Sequence, residues 1–305
     1  MTNAIVWLEA GADRVWAVAD SLITAAGTNP VRRVTNQAMK IMKIQVGAWG
    51  HTKYTKAGGP MICYDVGFVY AGAVTPALMT HAAVSMMLKN LHPQTEESRR
   101  IYLPSFDRIA ALVRMISESY TREAMVGQGN NNPPFCEFVI FALPPAQRED
   151  LVAKGSWDEN LTAQQRKAYA DRLNGGSLDC YWIHPKIDSF GYRQVAERVN
   201  LIDGEYAVIG DQTTTLRAQI ESLRASPSAG LGAEPRIALE ARIRANLHDT
   251  VGGTLQFGLM EQGHLDLFGA LQDEYGHPAK NWLGFEFDTE INPVLGMPVV
   301  IPFQP

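Results

Sequence analysis

Two short apolar runs open the chain, AIVWL over 4–8 and RVWAVA over 14–19, and both are rich in β-branched and aromatic residues. The turn-prone Glu-Ala-Gly-Ala-Asp between them predicts a β-hairpin with a short loop. SLITAAGTNPVRRVTNQ reads as a loop or a short irregular strand, and KIMKIQV (40–46) returns to strand character. After the Gly-rich excursion GAWGHTKYTKAGGP, the compact apolar run GFVYAGA (67–73) predicts another strand.

The period then changes. TPALMTHAAVSMMLKNL (75–91) predicts a helix with Thr75 as N-cap and Pro76 at its first position, where the missing N–H costs nothing. SFDRIAALVRMISESYTREAM (105–125) carries Ile109, Leu112, Val113 and Ile116 at spacings of three and four, so a second helix is expected to pack beside the first. GQGNNNPP breaks the pattern, and FCEFVIFAL, LDCYWIH and EYAVIG read as strands. A second helix pair is predicted over 213–225 and 235–249, followed by a hairpin over 252–268 that pivots near Gln262-Gly263. Residues 144–177 are polar and aperiodic, which marks a surface insertion, and 271–305 is a Pro-, Gly- and aromatic-rich extension expected to serve assembly contacts. Strands, two helices, strands, two helices and strands suit an α+β fold: a four-layer αββα sandwich of two mainly antiparallel sheets, in one domain over 1–270.

Composition narrows the function. The 305 residues carry 27 Lys+Arg against 32 Asp+Glu, a formal charge of -5 spread along the chain. No basic stripe is available for nucleic acid, and no apolar run approaches a membrane span. Cys63, Cys136 and Cys180 lack any disulfide or zinc spacing and read as buried thiols of a cytoplasmic protein. The N-terminus has no signal-peptide pattern. The histidines show no metal-binding spacing, and neither a metal nor a cofactor is expected.

The candidate chemistry lies at the start. If Met1 is removed, Thr2 presents a hydroxyl and an α-amine on one residue, and the amine's ordinary pKa of roughly 7.7 to 8.0 lets it accept the hydroxyl proton. A strand beginning at residue 3 would hold that terminus rigidly. The hairpin returns Asp20 to its neighbourhood. Lys40 or Lys43 opens the next strand and could supply a cation; alternation sends the two to opposite faces, so only one can point at Thr2.

T-N-A-I-V, V-W-A-V-A-D-S, K-I-M-K-I and G-F-V-Y-A-G-A, in that order, resemble the β-type subunits of the proteasome and their bacterial relatives, N-terminal-nucleophile hydrolases. Y-A-V-I-G-D and D-T-V-G-G-T-L-Q-F look like that family's closing elements. The resemblance implies Thr2 as nucleophile and base, Asp20 as the organising carboxylate, Lys40 rather than Lys43 as the cation, and the Gly72 N–H as oxyanion donor. Asp211 stands where the family usually has a supporting serine, and Asp249 falls in the supporting stretch ahead of the paired glycines. The implied activity is threonine-type hydrolysis of peptide or amide bonds in a self-assembled ring or stack. A non-catalytic scaffold of the same fold and a small-molecule amidase are the alternatives, and an ATPase partner stays open.

Overall fold

The computed structural model describes residues 2–9, 14–25, 32–48, 62–91, 103–128, 134–143, 178–189, 191–201, 205–226, 232–245, 250–272, 278–282, 285–286 and 303–304. The 144–177 insertion, the N-terminal Met1 and Asp249 lie outside these residues.

Two sheets form the centre. The first joins β10 (Tyr206–Gly210), β1 (Asn3–Leu8), β2 (Arg14–Asp20), β11 (Leu255–Glu261) and β12 (His264–Gln272) in that order. The second joins β5 (Ile41–Ala48), β6 (Ile62–Gly72), β7 (Cys136–Ala142), β8 (Asp179–Asp188) and β9 (Gly191–Arg198), every neighbour antiparallel. A two-stranded ribbon, β3 (Ile23–Thr24) with β4 (Arg33–Thr35), stands apart. Helices α1 (Val74–Leu88) and α2 (Phe106–Gln128) cover the second sheet, while α3 (Thr213–Arg224) and α4 (Glu234–Ala245) cover the first.

Strand alternation builds the layers. Ala4 and Val6 of β1 face the second sheet, where they meet Val69, Ala71, Val139 and Phe141. Ile5, between them, faces the other way and packs with Leu216, Ile220 and Leu239 of α3 and α4. On the far side Phe68 and Phe138 pack with Val84, Ile109 and Val113 of α1 and α2. Three apolar clusters between four layers make the αββα sandwich, since each sheet buries both of its faces.

Several details differ from the sequence reading. α1 begins at Val74 after an extended Ala73 with no side-chain cap, so Thr75 lies inside the helix and Pro76 at its third position. Proline is tolerated there because every N–H of the first turn lacks an intrahelical partner. Strand β9 escapes the apolar pattern because one inward residue is Gln194, which is buried and donates its amide to the Cys136 carbonyl at 3.0 Å. The tail adds β13 (Pro278–Trp282) antiparallel to β12, β14 (Phe285–Glu286) beyond it, and β15 (Phe303–Gln304) parallel to β12. The predicted hairpin turn is present, with φ of 51° at Gln262 and 78° at Gly263. Two successive left-handed residues match the twist of the flanking strands.

Phe138 is fully buried, its ring centroid 5.1 Å from that of Phe68. Phe138→Ala should therefore lower stability by about 3 to 5 kcal/mol in chemical denaturation. A loss below about 1 kcal/mol would contradict the packing of the α1/α2 layer on its sheet.

Candidate active site

Each arm of the site is placed by a strand end. The β1–β2 ladder pairs Ala4 with Ala19, so its next step sets Asp20 beside Asn3. The Asn3 N–H donates to Asp20 Oδ1 at 2.8 Å. Thr2, 2% exposed, is held through its carbonyl, which accepts the Asp211 N–H at 2.9 Å. Gly210, with φ of 109°, lies against that carbonyl so closely that a Cβ would sit 1.6 Å from the oxygen. Only glycine fits there.

Lys40 precedes β5 and is fully buried. Its Nζ donates to Thr2 Oγ1, to Asp20 Oδ1 at 3.2 Å and to the Leu22 carbonyl at 2.5 Å. An ammonium has three hydrogens, and here three acceptors take them. Asp20 is equally full: Oδ1 receives Asn3 N–H and Lys40, while Oδ2 receives the N–H groups of Leu22 at 3.3 Å and Gly252 at 3.2 Å. Four donors on two oxygens leave no room for a carboxyl proton, so the arrangement suits a carboxylate paired with an ammonium. Burial pushes the Asp20 carboxyl above its ordinary range, against the pull of Lys40 and of the backbone N–H groups. Burial also lowers Lys40, while Asp20 works to hold its proton.

Lys43 goes elsewhere. Its Nζ lies 3.4 Å from Asp65 Oδ2 and donates to the Leu265 carbonyl, on the opposite side of the strand. The geometry thus brings Thr2, Asp20 and Lys40 together and leaves Lys43 out.

The loop before β11 closes the site from behind. Ser21 and Leu22 donate their N–H groups to the Gly252 carbonyl, and Ser21 Oγ accepts the Thr254 N–H at 2.7 Å. Gln256, buried in β11, accepts the Lys40 N–H at 2.9 Å and donates its amide to the carbonyls of Asp20 at 3.3 Å and Ala38 at 2.5 Å. One side chain therefore ties the Asp20 and Lys40 segments together. Sequence reasoning missed Gln256 and Ser21; the only signal was a polar residue inside an otherwise apolar strand, and Ser directly behind Asp20.

Gly72 ends β6 at the turn into α1, with φ of 100° and with Phe135 O only 2.4 Å from where a Cβ would be. β6 runs beside Lys40, whose carbonyl accepts the Tyr70 N–H at 3.2 Å. Asp211 stands behind Thr2 through its backbone, and its carboxylate accepts the Thr250 hydroxyl at 2.6 Å. A side-chain carboxylate in β7, Glu137, also reaches the site's rim, where its Oε1 accepts the Gly210 N–H at 2.7 Å.

No family model matches the sequence, and no curated protein matches it. Solved structures are similar in fold. The Anbu complex of Pseudomonas aeruginosa, a helical assembly, is 15% identical over 88% of this chain and 86% of its own, with a TM-score of 0.48. Anbu from Yersinia bercovieri, described as an ancestral beta-subunit, is 13% identical over 85% of this chain and 81% of its own, with a TM-score of 0.46. BPH of Thiobacillus denitrificans, solved with epoxomicin, is 13% identical over 86% of this chain and 99% of its own, with a TM-score of 0.41.

Removing one member of the buried pair should be costly. Lys40→Met strands the Asp20 carboxylate and is expected to lower stability by about 3 to 5 kcal/mol in urea denaturation. Equal stability of the single variant and the wild type would contradict a buried ion pair.

Proposed function

We propose that the protein is a threonine-type N-terminal-nucleophile hydrolase that cleaves peptide or amide bonds. The observation that carries the reading is the buried contact of Thr2 Oγ1 with the Lys40 ammonium, itself paired to Asp20. A cation against a hydroxyl favours the alkoxide and so lowers the cost of attack.

The hydrogen count assigns the roles. Lys40 holds three hydrogens against three acceptors and is not free to take another, so the Thr2 proton goes to the α-amine once removal of the preceding residue exposes it. Oγ1 then attacks the scissile carbonyl, and the negative charge that develops on its oxygen is met by the Gly72 N–H. Collapse breaks the C–N bond, the amine leaves with the proton held by the α-amine, and an ester on Thr2 remains. Water, deprotonated by the same amine, adds to the ester; the bond from the acyl carbon to Oγ1 breaks, the acid leaves, and the proton on the amine returns to Oγ1 as the hydroxyl. Ser21, Gln256 and the Gly252 backbone act by holding Asp20 and Lys40 in place.

Self-assembly belongs to the proposal. The outer side of α1 exposes Leu78, Met79, Met86 and Met87, and the helix carries no charged residue, which supports contact with other subunits in a homo-oligomer. A cytoplasmic setting fits the buried free thiols of Cys136 and Cys180.

A mature chain whose intact mass begins at Thr2, with Thr2→Ala losing at least about a thousandfold in amide hydrolysis while keeping a cooperative melting transition, is the expected result. Undiminished turnover in Thr2→Ala contradicts the proposal, and a retained Met1 in an active preparation does so too. Rate should rise with pH as the α-amine loses its proton, near roughly pH 8, because only the neutral amine can accept one. It should fall again as Lys40 deprotonates, and because burial lowers Lys40 this alkaline limb should lie below the ordinary lysine value of 10.5. Measuring kcat/KM from pH 6 to 11 checks both limbs; a rate that is flat across that range contradicts the assignment.

A further inference from the structure

The site straddles two sheets. Thr2 and Asp20 belong to the strand set of β1 and β2, whereas Lys40 leads into β5 and Gly72 ends β6. Any oxyanion contact therefore depends on how one sheet is held against the other at this end, and the apolar layer between them is non-directional.

Among the described residues, three polar links cross the gap here. One is Lys40 to Thr2 and Asp20, and a second is Gln256 of β11, which accepts the N–H groups of Lys40 and Ile41. The third is Glu137, a lone carboxylate in the apolar strand β7. It shares strand parity with Val139 and Phe141, which face the inter-sheet layer. In the ladder it lies opposite Ala71, and its neighbour Cys136 lies opposite Gly72. Across the gap, its Oε1 accepts the N–H of Gly210, the residue paired with Asn3 and pressed against the Thr2 carbonyl. Its Oε2 accepts the indole N–H of Trp182 at 3.0 Å, and that indole is stacked on His184 with ring centroids 4.0 Å apart. Both oxygens thus have fixed donors, one in each sheet. Burial raises the Glu137 carboxyl, so the residue is held at an energetic cost that packing alone would not require.

We infer that Glu137 is a positioning residue that fixes the strand carrying the nucleophile against the strand carrying the oxyanion donor. The inference rests on the reading of Thr2 as nucleophile and of the Gly72 N–H as oxyanion donor. Glu137 touches neither reacting group; it acts through Gly210 on one side and through the β6–β7 ladder on the other. A shift of the two sheets by a fraction of an ångström leaves substrate binding nearly intact and misplaces the donor from the charge that develops only in the transition state. The loss should therefore appear in kcat and not in KM.

Glu137→Gln keeps the volume but offers an N–H to the Trp182 N–H, so only one of the two links can survive. Trp182→Phe keeps a ring on His184 and removes the donor. With a fluorogenic N-acyl-peptidyl-coumarin amide, Glu137→Gln should lower kcat about ten- to hundredfold with KM within about twofold, and Trp182→Phe should move kcat the same way by less. Hydrogen exchange of the Gly210 amide should quicken in Glu137→Leu, which has no acceptor left, and it should do so equally in a Thr2→Ala background where nothing is turned over. Unchanged kcat and unchanged Gly210 exchange overturn the inference. So does a kcat that falls only in step with the melting temperature while KM rises, which is the signature of a merely structural role. If the wild type hydrolyses no amide the Thr2 reading fails, and the exchange comparison alone then decides the coupling, with slow Gly210 exchange in Glu137→Leu overturning it.

Discussion

A lysine ammonium shut away from water must find an acceptor for every hydrogen it carries, and the rest of this molecule is arranged around that requirement. Lys40 finds a hydroxyl, a carboxylate and a carbonyl. The carboxylate in turn is saturated by backbone N–H groups from Asn3, Leu22 and Gly252, three separate points of the chain. Buried ion pairs contribute little net stability compared with apolar residues of the same size, because desolvation offsets most of the Coulombic attraction. A pair kept under those terms, with a hydroxyl inside it, is the arrangement that the proposed reaction calls for.

The fold serves that arrangement by placing strand ends, loops and layers. The β1–β2 hairpin lays the carboxylate beside the start of the chain, and the loop before β11 supplies donors from behind. Gln256 ties the segment after β2 to the segment before β5. Between the sheets, Ala4, Val6, Ala17 and Ala19 give a shallow surface on which Val69, Val139 and Phe141 seat. Small residues there bring the sheets close enough for a lysine from one to reach a threonine of the other. The layers that carry helices, in contrast, pack large side chains such as Phe68, Phe138, Leu216 and Leu239. Rigidity at the site comes from hydrogen bonds with direction, and stability comes from apolar area without it.

Much of this was legible in the residues. The opening hairpin, both helix pairs and the Gln262-Gly263 turn follow from periodicity and turn chemistry, which are local properties. Asp20 could be placed near Thr2 because an antiparallel hairpin has one register once its loop is short. The choice between Lys40 and Lys43 could not be made from spacing alone; parity says that one of them faces the site, and the family resemblance names Lys40, where the structure has it. What stayed hidden was polar and buried. Gln256 and Glu137 sit in strands whose two faces are both covered, so alternation does not distinguish an inward polar residue from an outward one, and Gln194 is a polar inward residue on the half-exposed edge strand β9. Thr75 misled for a related reason: a cap residue and a proline in the right order predict a helix start within a residue or two, and the backbone here turns two residues sooner.

The state of the Lys40 amine is the quantity on which the account turns, and NMR of the 13Cε–15Nζ group through a pH titration reads it directly. The account predicts a protonated, slowly exchanging ammonium at neutral pH that loses its proton below the ordinary 10.5 and whose shift changes in Thr2→Ala. A neutral amine at pH 7, or a signal that titrates like a solvent-exposed lysine and ignores the loss of the threonine hydroxyl, would contradict it.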